Sequence, residues 1–258
     1  MNKYLKNMNR IEFVVTMACT GKCKHCSQGD HKSSDNIDKY LASDTVRKIA
    51  KEYNINSVMT FGGEALLCPE AVYEIHKAAT EMNIPKRQLI TNGYFSRDYD
   101  KIRFVAERLC ESGVNELLLS VDAFHQETIP LEFVKAFASA VREKGVTLKL
   151  HPAWLQSPDA DNVYNNKTRE LLTEFDGVEI SEGNIIFPSG NALKYLGEYF
   201  DLSKKQKNPY DEDPRDIKAI CFSANGDILG SNVYEKDICE ILSEYKPKLS
   251  VFSLLKNK

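Results

Sequence analysis

Residues 11–26 read IEFVVTMACTGKCKHC, a short apolar run that leads directly into three cysteines within eight positions. These are Cys19, Cys23 and Cys26, in the spacing C-x3-C-x2-C. Three thiolates can hold an iron–sulfur cluster and leave one iron without a protein ligand, whereas clusters that only carry electrons usually have four cysteines. Because an open position indicates chemistry at the metal, we predict a reactive metal centre directly after a first β-strand.

Closely spaced cysteines also form disulfides and zinc sites. The chain has seven cysteines, an odd number, among 258 residues, and residues 1–10 are polar and basic, unlike a signal peptide. These features predict a reducing compartment, so we expect a cytoplasmic protein without structural disulfides. Zinc stays open as an alternative metal, with His25 or His31 as its fourth ligand.

The composition excludes several classes of protein. Lys and Arg number 34 and Asp and Glu number 37, which gives a net charge of −3, so no basic excess indicates nucleic-acid binding. No apolar stretch reaches about 18 residues, so we expect no membrane-spanning helix. The length is sufficient for one large domain or two small ones around a buried core.

Six short apolar runs recur along the chain, at residues 11–16, 57–61, 88–91, 116–121, 147–150 and 178–180. After a first step of 46 residues, their starts are 28 to 31 residues apart, the length of a strand plus a crossover helix. The intervals carry apolar residues at helical spacing, namely Val72, Ile75 and Ala79, then Ile102, Val105 and Leu109, then Leu131, Val134, Phe137 and Val141. Pro69 suits the start of the first of these helices. Repeated βα units predict a parallel sheet with right-handed crossovers.

The number of units predicts the shape of the sheet. Eight units close a standard barrel, so six predict an α/β fold with a partial (β/α)6 TIM-like barrel. The repeat ends near residue 190, and we assign residues 1–190 to the barrel and residues 191–258 to a small C-terminal extension packed on it. Within the extension, residues 220–223 and 228–233 flank Asn225-Gly226, a common tight-turn dipeptide, which predicts a hairpin.

Polar residues follow the predicted strands, at the end of a barrel where active sites lie. They are Gly62, Gly63, Glu64, Asn92, Ser120, Asp122, His151, Trp154 and the run Pro188-Ser189-Gly190. Each has an ordinary alternative, such as a turn at Gly62 or a helix cap at Asp122. Paired glycines let a ligand approach the backbone, and the Glu64 carboxylate suits an ammonium group. Since Asn92, Ser120 and Asp122 suit ribose hydroxyls, the rim predicts a site for a cationic, sugar-bearing small molecule.

The cysteine loop after the first strand, together with Gly-Gly-Glu after the second, resembles the radical S-adenosylmethionine (radical SAM) superfamily over roughly residues 11–190. The resemblance implies that Cys19, Cys23 and Cys26 ligate a [4Fe-4S] cluster whose fourth iron binds S-adenosylmethionine. It further implies reductive cleavage to a 5′-deoxyadenosyl radical, which removes hydrogen from a substrate in the open barrel. An electron donor such as flavodoxin or ferredoxin is then required.

The resemblance also assigns residues to S-adenosylmethionine. They are Gly62, Gly63 and Glu64 at the methionine amino group, Asn92, Ser120 and Asp122 at the ribose or the methionine carboxylate, and His25 near the adenine. Histidine departs from the aromatic residue that is usual before the third cysteine. Ala65 departs from the proline that usually follows Gly-Gly-Glu, a change for which we expect little cost.

The C-terminal part resembles the SPASM extension of peptide-modifying members of this superfamily. Only Cys221 and Cys239 are present there, with Ser231 or Asn232 where the next cysteine is usual, so we expect no auxiliary cluster. Hydrogen-atom donation to a substrate radical is one use for these two thiols, and packing as small apolar groups is the ordinary alternative. His125 is a further candidate for catalytic contact with the substrate.

The sequence leaves the substrate open. The leading hypothesis is a radical SAM enzyme, of the peptide-modifying or oxidoreductase type, that acts on a peptide, because of the SPASM-like tail. A small molecule such as a nucleotide or sugar is the alternative that the short extension favours. A zinc-stabilised binding protein is the alternative outside catalysis, and an activating enzyme that makes a glycyl radical on a partner is a minor one.

Overall fold

The computed structural model describes residues 2–30, 33–204, 208 and 211–247. Its strands are β1 (Arg10–Val14), β2 (Ser57–Phe61), β3 (Lys86–Thr91), β4 (Glu116–Leu119), β5 (Thr147–Leu150), β6 (Ala153–Trp154), β7 (Glu179–Ile180), β8 (Asn184–Ile185), β9 (Ala219–Phe222), β10 (Asp227–Ile228) and β11 (Ser231–Asn232). Seven of them form one parallel sheet in the order β7-β5-β4-β3-β2-β1-β9. This α/β architecture confirms the predicted fold class.

Helices connect the strands of this sheet. They are α1 (Lys39–Glu52), α2 (Pro69–Glu81), α3 (Tyr99–Glu111), α4 (Ala123–Gln126), α5 (Leu131–Glu143), α6 (Val163–Leu172), α7 (Gly190–Leu196) and α8 (Ile238–Glu244), with 3-10 turns at Ala65–Leu67 and Gly197–Tyr199. Asp38 and Asp98 cap α1 and α3, because each carboxylate accepts hydrogen bonds from two backbone amides of the first turn. The three helices predicted from apolar spacing are α2, α3 and α5, and α2 begins at Pro69 as expected.

The two faces of the sheet differ in polarity. Along β1, Ile11 and Phe13 are fully buried in the main core, together with apolar side chains of the helices. The alternate residues belong to a second surface, the polar face, which comprises Arg10, Glu12, Gln88, Glu116, Lys149 and Glu179. Arg10 Nε donates to Glu12 Oε1 over 2.5 Å, and Lys149 Nζ lies 2.7 Å from Glu179 Oε1. Closed barrels fill this region with bulky apolar side chains, so a polar face fits an open one.

The barrel is open at β7 and β9. Within the described ranges no ladder joins these two strands, so each is an edge of the sheet. All six predicted strands are present, two of them, at residues 57–61 and 147–150, with the predicted bounds. Across the same ranges, no helix has the length and apolar composition that crossing a bilayer requires.

The hairpin predicted in the extension is wrong in its pairing. β9 pairs in parallel with β1 as the seventh strand of the main sheet, and β10 pairs with β11 instead. The physical reason is burial, since Ile220 and Phe222 enter the main core and the Phe222 ring stacks on Phe13 with centroids 4.8 Å apart. Asn225-Gly226 does form a tight turn, in which the Gly226 amide donates to Ser223 O. The domain division at residue 190 stays a prediction.

Candidate active site

The segment after β2 holds the beginning of the cysteine loop. Gly63 N donates to Thr16 O and Glu64 N donates to Ala18 O, each over 2.8 Å. A Cβ on Gly62 would lie 2.4 Å from Thr16 O, and one on Gly63 would lie 2.2 Å from Ala18 O. The two glycines are therefore required for close approach of the chain itself, where the sequence suggested close approach of a ligand.

Two of the three thiols of the loop, those of Cys19 and Cys23, lie next to a glycine. None of the seven cysteines forms a disulfide, and Cys23 is the buried one of the three. A Cβ on Gly21 would lie 3.1 Å from Cys23 Sγ and 3.7 Å from Cys19 Sγ. Gly21 N also donates to Cys19 Sγ over 3.3 Å. A side chain at this position would fill the space between two thiols, so the loop fits a group that soft thiolates bind, such as an iron–sulfur cluster.

Burial controls the protonation of these thiols. It raises the pKa of Cys19 to about 11, and it also raises the pKa of Cys23 and of Cys26. Negative charge on Asp122 raises the pKa of Cys23 further. The metal-free thiols are therefore protonated at neutral pH, and binding of a metal centre must release these protons.

The end of the cysteine loop is held by the start of α7. Asn191 N donates to Cys26 O over 2.9 Å, and Asn191 Nδ2 donates to Cys23 O over 3.4 Å. A Cβ on Gly190 would lie 2.4 Å from Ser27 O, so this contact is also close backbone packing. The sequence indicated Pro188-Ser189-Gly190 as part of the rim but missed Asn191, which follows it directly.

The carboxylate of Glu64 lies inside the protein and not at the rim. It has no exposed surface, and it accepts hydrogen bonds from Leu66 N (2.9 Å), Thr91 Oγ1 (2.6 Å) and Asn92 N (2.8 Å). Burial raises the pKa of Glu64, and these hydrogen bonds offset part of that effect. The side chain thus fastens the end of β3 to the segment after β2. The sequence marked Thr91 only as the end of a predicted strand and did not indicate its contact with Glu64.

Asn92 is the rim residue that approaches the cysteine loop. Its Nδ2 lies 3.8 Å from Cys19 Sγ and donates to Thr20 Oγ1 over 3.2 Å. Ser120 is also buried, and its backbone amide donates to Thr91 O over 2.9 Å. The end of β3 therefore lies next to the first cysteine, and the end of β4 lies beside the end of β3, as expected from parallel strands.

Asp122 caps α4, the alternative stated for it from the sequence. Its carboxylate is fully buried and accepts hydrogen bonds from the amides of Phe124 (3.0 Å), His125 (2.9 Å) and Ala153 (3.0 Å). Its Oδ2 also lies 2.8 Å from His125 Nδ1. Burial by itself would raise the pKa of Asp122, but His125 and these hydrogen bonds hold it well below its usual range.

Two histidines and one cysteine come together next to Asp122. The rings of His25 and His125 have centroids 4.7 Å apart, and ligand atoms of both lie within 4.8 Å of each other and of the Cys23 thiol. Burial lowers the pKa of His25 to about 4. Burial also lowers the pKa of His125, but the Asp122 carboxylate raises it by more. His31, the other histidine considered as a zinc ligand, lies outside the described residues.

The remaining candidates have structural partners or lie apart. His151 Nδ1 lies 2.8 Å from Ser181 Oγ, and Trp154 Nε1 donates to Glu182 O over 3.0 Å. Cys221 is exposed on β9, where it pairs in register with Glu12 at the middle of β1. Cys239 lies in the first turn of α8 and packs against the main core. In the described part of the chain, neither of these two cysteines belongs to a group of metal-binding side chains.

Comparison with known proteins agrees with this geometry. Residues 13–149 match the model of the Radical SAM superfamily. A relative is the probable GTP 3′,8-cyclase of Saccharolobus solfataricus, which is 25% identical over 225 residues that cover 78% of this chain and 67% of the relative.

Two solved structures share the fold. Streptococcus suis SuiB bound to precursor peptide SuiA has a TM-score of 0.60 at 14% identity, over 98% of this chain and 67% of SuiB. Native anSMEcpe with bound AdoMet (S-adenosylmethionine) has a TM-score of 0.59 at 13% identity, over 93% of this chain and 81% of that one. Enzymes of the matched family use a [4Fe-4S] cluster and S-adenosylmethionine. The family match covers more than half of the residues, and the chain therefore belongs to the radical SAM superfamily.

Proposed function

We propose that this chain holds a [4Fe-4S] cluster on Cys19, Cys23 and Cys26 and cleaves S-adenosylmethionine reductively to act on a substrate. The observation that carries the proposal is the cysteine loop at the carboxyl end of a parallel sheet, where the Cys19 and Cys23 thiols lie next to Gly21 and Cys26 follows three residues after Cys23. When bound, the cluster supplies one electron to the sulfonium, which yields methionine and a 5′-deoxyadenosyl radical. An electron donor such as flavodoxin or ferredoxin is part of the proposal.

The protein's own part is to fix the loop that carries the thiols. Gly63 and Glu64 bind its beginning through their amides, and Asn191 binds its end. Because the Glu64 carboxylate already accepts three hydrogen bonds, we assign contact with the methionine amino group to the backbone carbonyls of Gly62 and Gly63. Glu64 would then act on that contact by positioning the segment.

The other rim residues also fall into two groups, those proposed to contact S-adenosylmethionine and those proposed to position another residue. Asn92 lies next to Cys19, so we assign it to contact with the bound S-adenosylmethionine, with Ser120 beside it at the end of β4. Asp122 accepts four hydrogen bonds from the protein, so its proposed role is to position His125. His25 is assigned to the adenine side.

For the substrate we favour a small polar molecule, such as a nucleotide. Two observations support this class. The relative is named a probable GTP 3′,8-cyclase, and it aligns with 78% of this chain. The polar face of the sheet also offers charged and amide groups, among them Arg10, Gln88 and Glu116, within the open barrel.

A peptide is the second candidate substrate. The SPASM-like resemblance of the extension favours it, and so do apolar side chains near the open edge of the sheet. Ile180 on β7 and Ile185 on β8 are 50% and 44% exposed. An edge strand with free backbone groups can bind an extended peptide as an additional strand.

The test is formation of 5′-deoxyadenosine. The protein is reconstituted anaerobically with iron and sulfide, reduced, and given S-adenosylmethionine alone, with GTP, or with a peptide. We expect product from the wild type and none from Cys26→Ala, which should also lose bound iron. Cys110→Ala is the matched control, because Cys110 is an exposed thiol on α3. Faster formation with one substrate class identifies that class. Absence of both product and iron, with zinc bound, would instead support the zinc-stabilised binding protein.

A further inference from the structure

Cys23 and His25 of the cysteine loop form a group with His125, and the two histidines of this group are not proposed ligands of the cluster. One ligand atom each from Cys23, His25 and His125 lies within 4.8 Å of the other two. They come from two separate segments, since His125 belongs to α4. A thiolate and two imidazoles are the ligand types of mononuclear zinc sites, with a fourth position left for water or a further ligand.

The second observation is how the two histidines are held. His125 Nδ1 is bound by the buried carboxylate of Asp122, which leaves Nε2 as the nitrogen for a ligand. This is the carboxylate–histidine arrangement that orients histidines at metal sites. His25 Nδ1 is buried and has no hydrogen-bond partner in the described structure. Since a buried polar atom without a partner costs free energy, a bound ion, or a water on it, would remove that cost.

Distance and charge both permit an ion here. Zinc bond lengths of about 2.0 to 2.3 Å give ligand separations of roughly 3.3 to 3.6 Å in a tetrahedral site. The group therefore needs only side-chain movement of about one ångström to close on an ion. One divalent cation, the Cys23 thiolate and the Asp122 carboxylate sum to zero charge, which suits a buried position.

We propose that Cys23, His25 and His125 bind one zinc-like divalent cation in the cluster-free protein. This inference rests on the proposed function only through Cys23, which is also a proposed cluster ligand. The ion and the cluster therefore cannot bind at the same time. Zinc binds such ligands more tightly than Fe²⁺ does. Zinc would thus hold the protein in an inactive form until it is removed.

The test is titration of the reduced, metal-free protein with Co²⁺, followed by absorption spectroscopy. We expect one equivalent to bind, with the visible bands of tetrahedral Co²⁺ and the charge-transfer band of a single thiolate, and we expect zinc to displace it. A protein with both Cys19→Ala and Cys26→Ala should keep these bands. His25→Ala and His125→Ala should each weaken binding by more than about tenfold. His151→Ala is the matched control, because His151 contacts Ser181 outside the group.

The double cysteine variant separates this proposal from the proposed function. It has lost two cluster ligands, so its cobalt binding does not depend on S-adenosylmethionine cleavage. Loss of the bands in that variant, with full binding in the two histidine variants, would place the ion on the three cysteines and overturn the proposal. Absence of cobalt binding to the wild type would also overturn it. One equivalent of zinc should lower iron incorporation into the wild type and should lower it less in His125→Ala.

Discussion

Glu64 shows how a polar residue at a strand end can serve the fold. The sequence identifies it from its place after two glycines, but its hydrogen-bond partners come from a neighbouring strand and the turn that follows. Which donors satisfy a buried carboxylate depends on packing between distant segments, and no local pattern encodes it. The same holds for Asp122 and its contact with Ala153.

Replacement of Glu64 by glutamine should destabilise the protein. The glutamine NH2 group is a donor and would face backbone amides or a hydroxyl that now donate to the carboxylate. The lost hydrogen bonds should cost about 1–3 kcal/mol. Denaturant unfolding under anaerobic conditions measures this cost. Glu70→Gln is the control, because Glu70 lies exposed in the first turn of α2 and should change stability by less than about 0.5 kcal/mol. Unchanged stability with weaker binding of S-adenosylmethionine would mean that the carboxylate contacts the ligand directly.

His76 should make stability depend on pH. It is fully buried, Nε2 lies 2.9 Å from Thr60 Oγ1, and burial lowers its pKa to about 3. In the unfolded chain the pKa is near 6.5, so below that pH the unfolded state binds a proton that the folded state does not. Stability should therefore fall by about 1.4 kcal/mol from pH 7.5 to pH 5.5 through this residue.

Unfolding of the wild type and His76→Gln at the two pH values isolates this contribution. The other titratable groups affect both proteins alike, so the wild type should lose about 1.4 kcal/mol more than the variant on acidification. Equal losses would show that His76 is not buried in its neutral form.

At the scale of elements, periodicity was a reliable guide. The spacing of apolar residues predicts α2, α3 and α5, because each helix buries one continuous stripe against the sheet. The pairing of β9 could not be predicted in this way. A four-residue apolar run fits a hairpin or a sheet edge equally well, and only the available core beside Phe13 and Phe222 distinguishes them.

The segment after β2 should tolerate no side chain at its second glycine. A Cβ on Gly63 would meet Ala18 O at 2.2 Å, so Gly63→Ala must displace the backbone that leads into the cysteines. We expect the reconstituted variant to hold less than about half of the wild-type iron, because the loop positions the cluster ligands. Gly197→Ala is the matched control, since a Cβ there meets nothing within 4 Å. Full iron content in Gly63→Ala would show that the loop does not depend on this contact.

At the scale of the whole molecule, the extension and the barrel share one core. Phe222 lies beyond the predicted boundary at residue 190, yet it is fully buried among the side chains of the main core. Repeat length indicates where the βα pattern stops, but it carries no information on where the remaining chain returns. The sequence therefore predicted the parallel sheet, and it predicted a strand near Phe222 but not that this strand pairs with β1.

Loss of the Phe222 ring should weaken the whole protein and not only the extension. We expect Phe222→Ala to cost about 3–5 kcal/mol, because it removes a large side chain from a packed interior. A single cooperative unfolding transition, shifted to lower denaturant, is the expected result. Phe104→Ala on α3 is the control, since that ring is 58% exposed. A first transition confined to the extension would contradict a shared core.

The two supports of the cysteine loop become available at very different times during synthesis. The thiols are made early, whereas Asn191, which binds Cys23 O, lies 168 residues further along the chain. At about 5–20 residues per second, translation of that interval takes roughly 8 to 34 seconds. During this period the loop lacks one of its two supports, so its thiols should react faster with an alkylating reagent on ribosome-bound chains that stop before residue 191 than on completed ones.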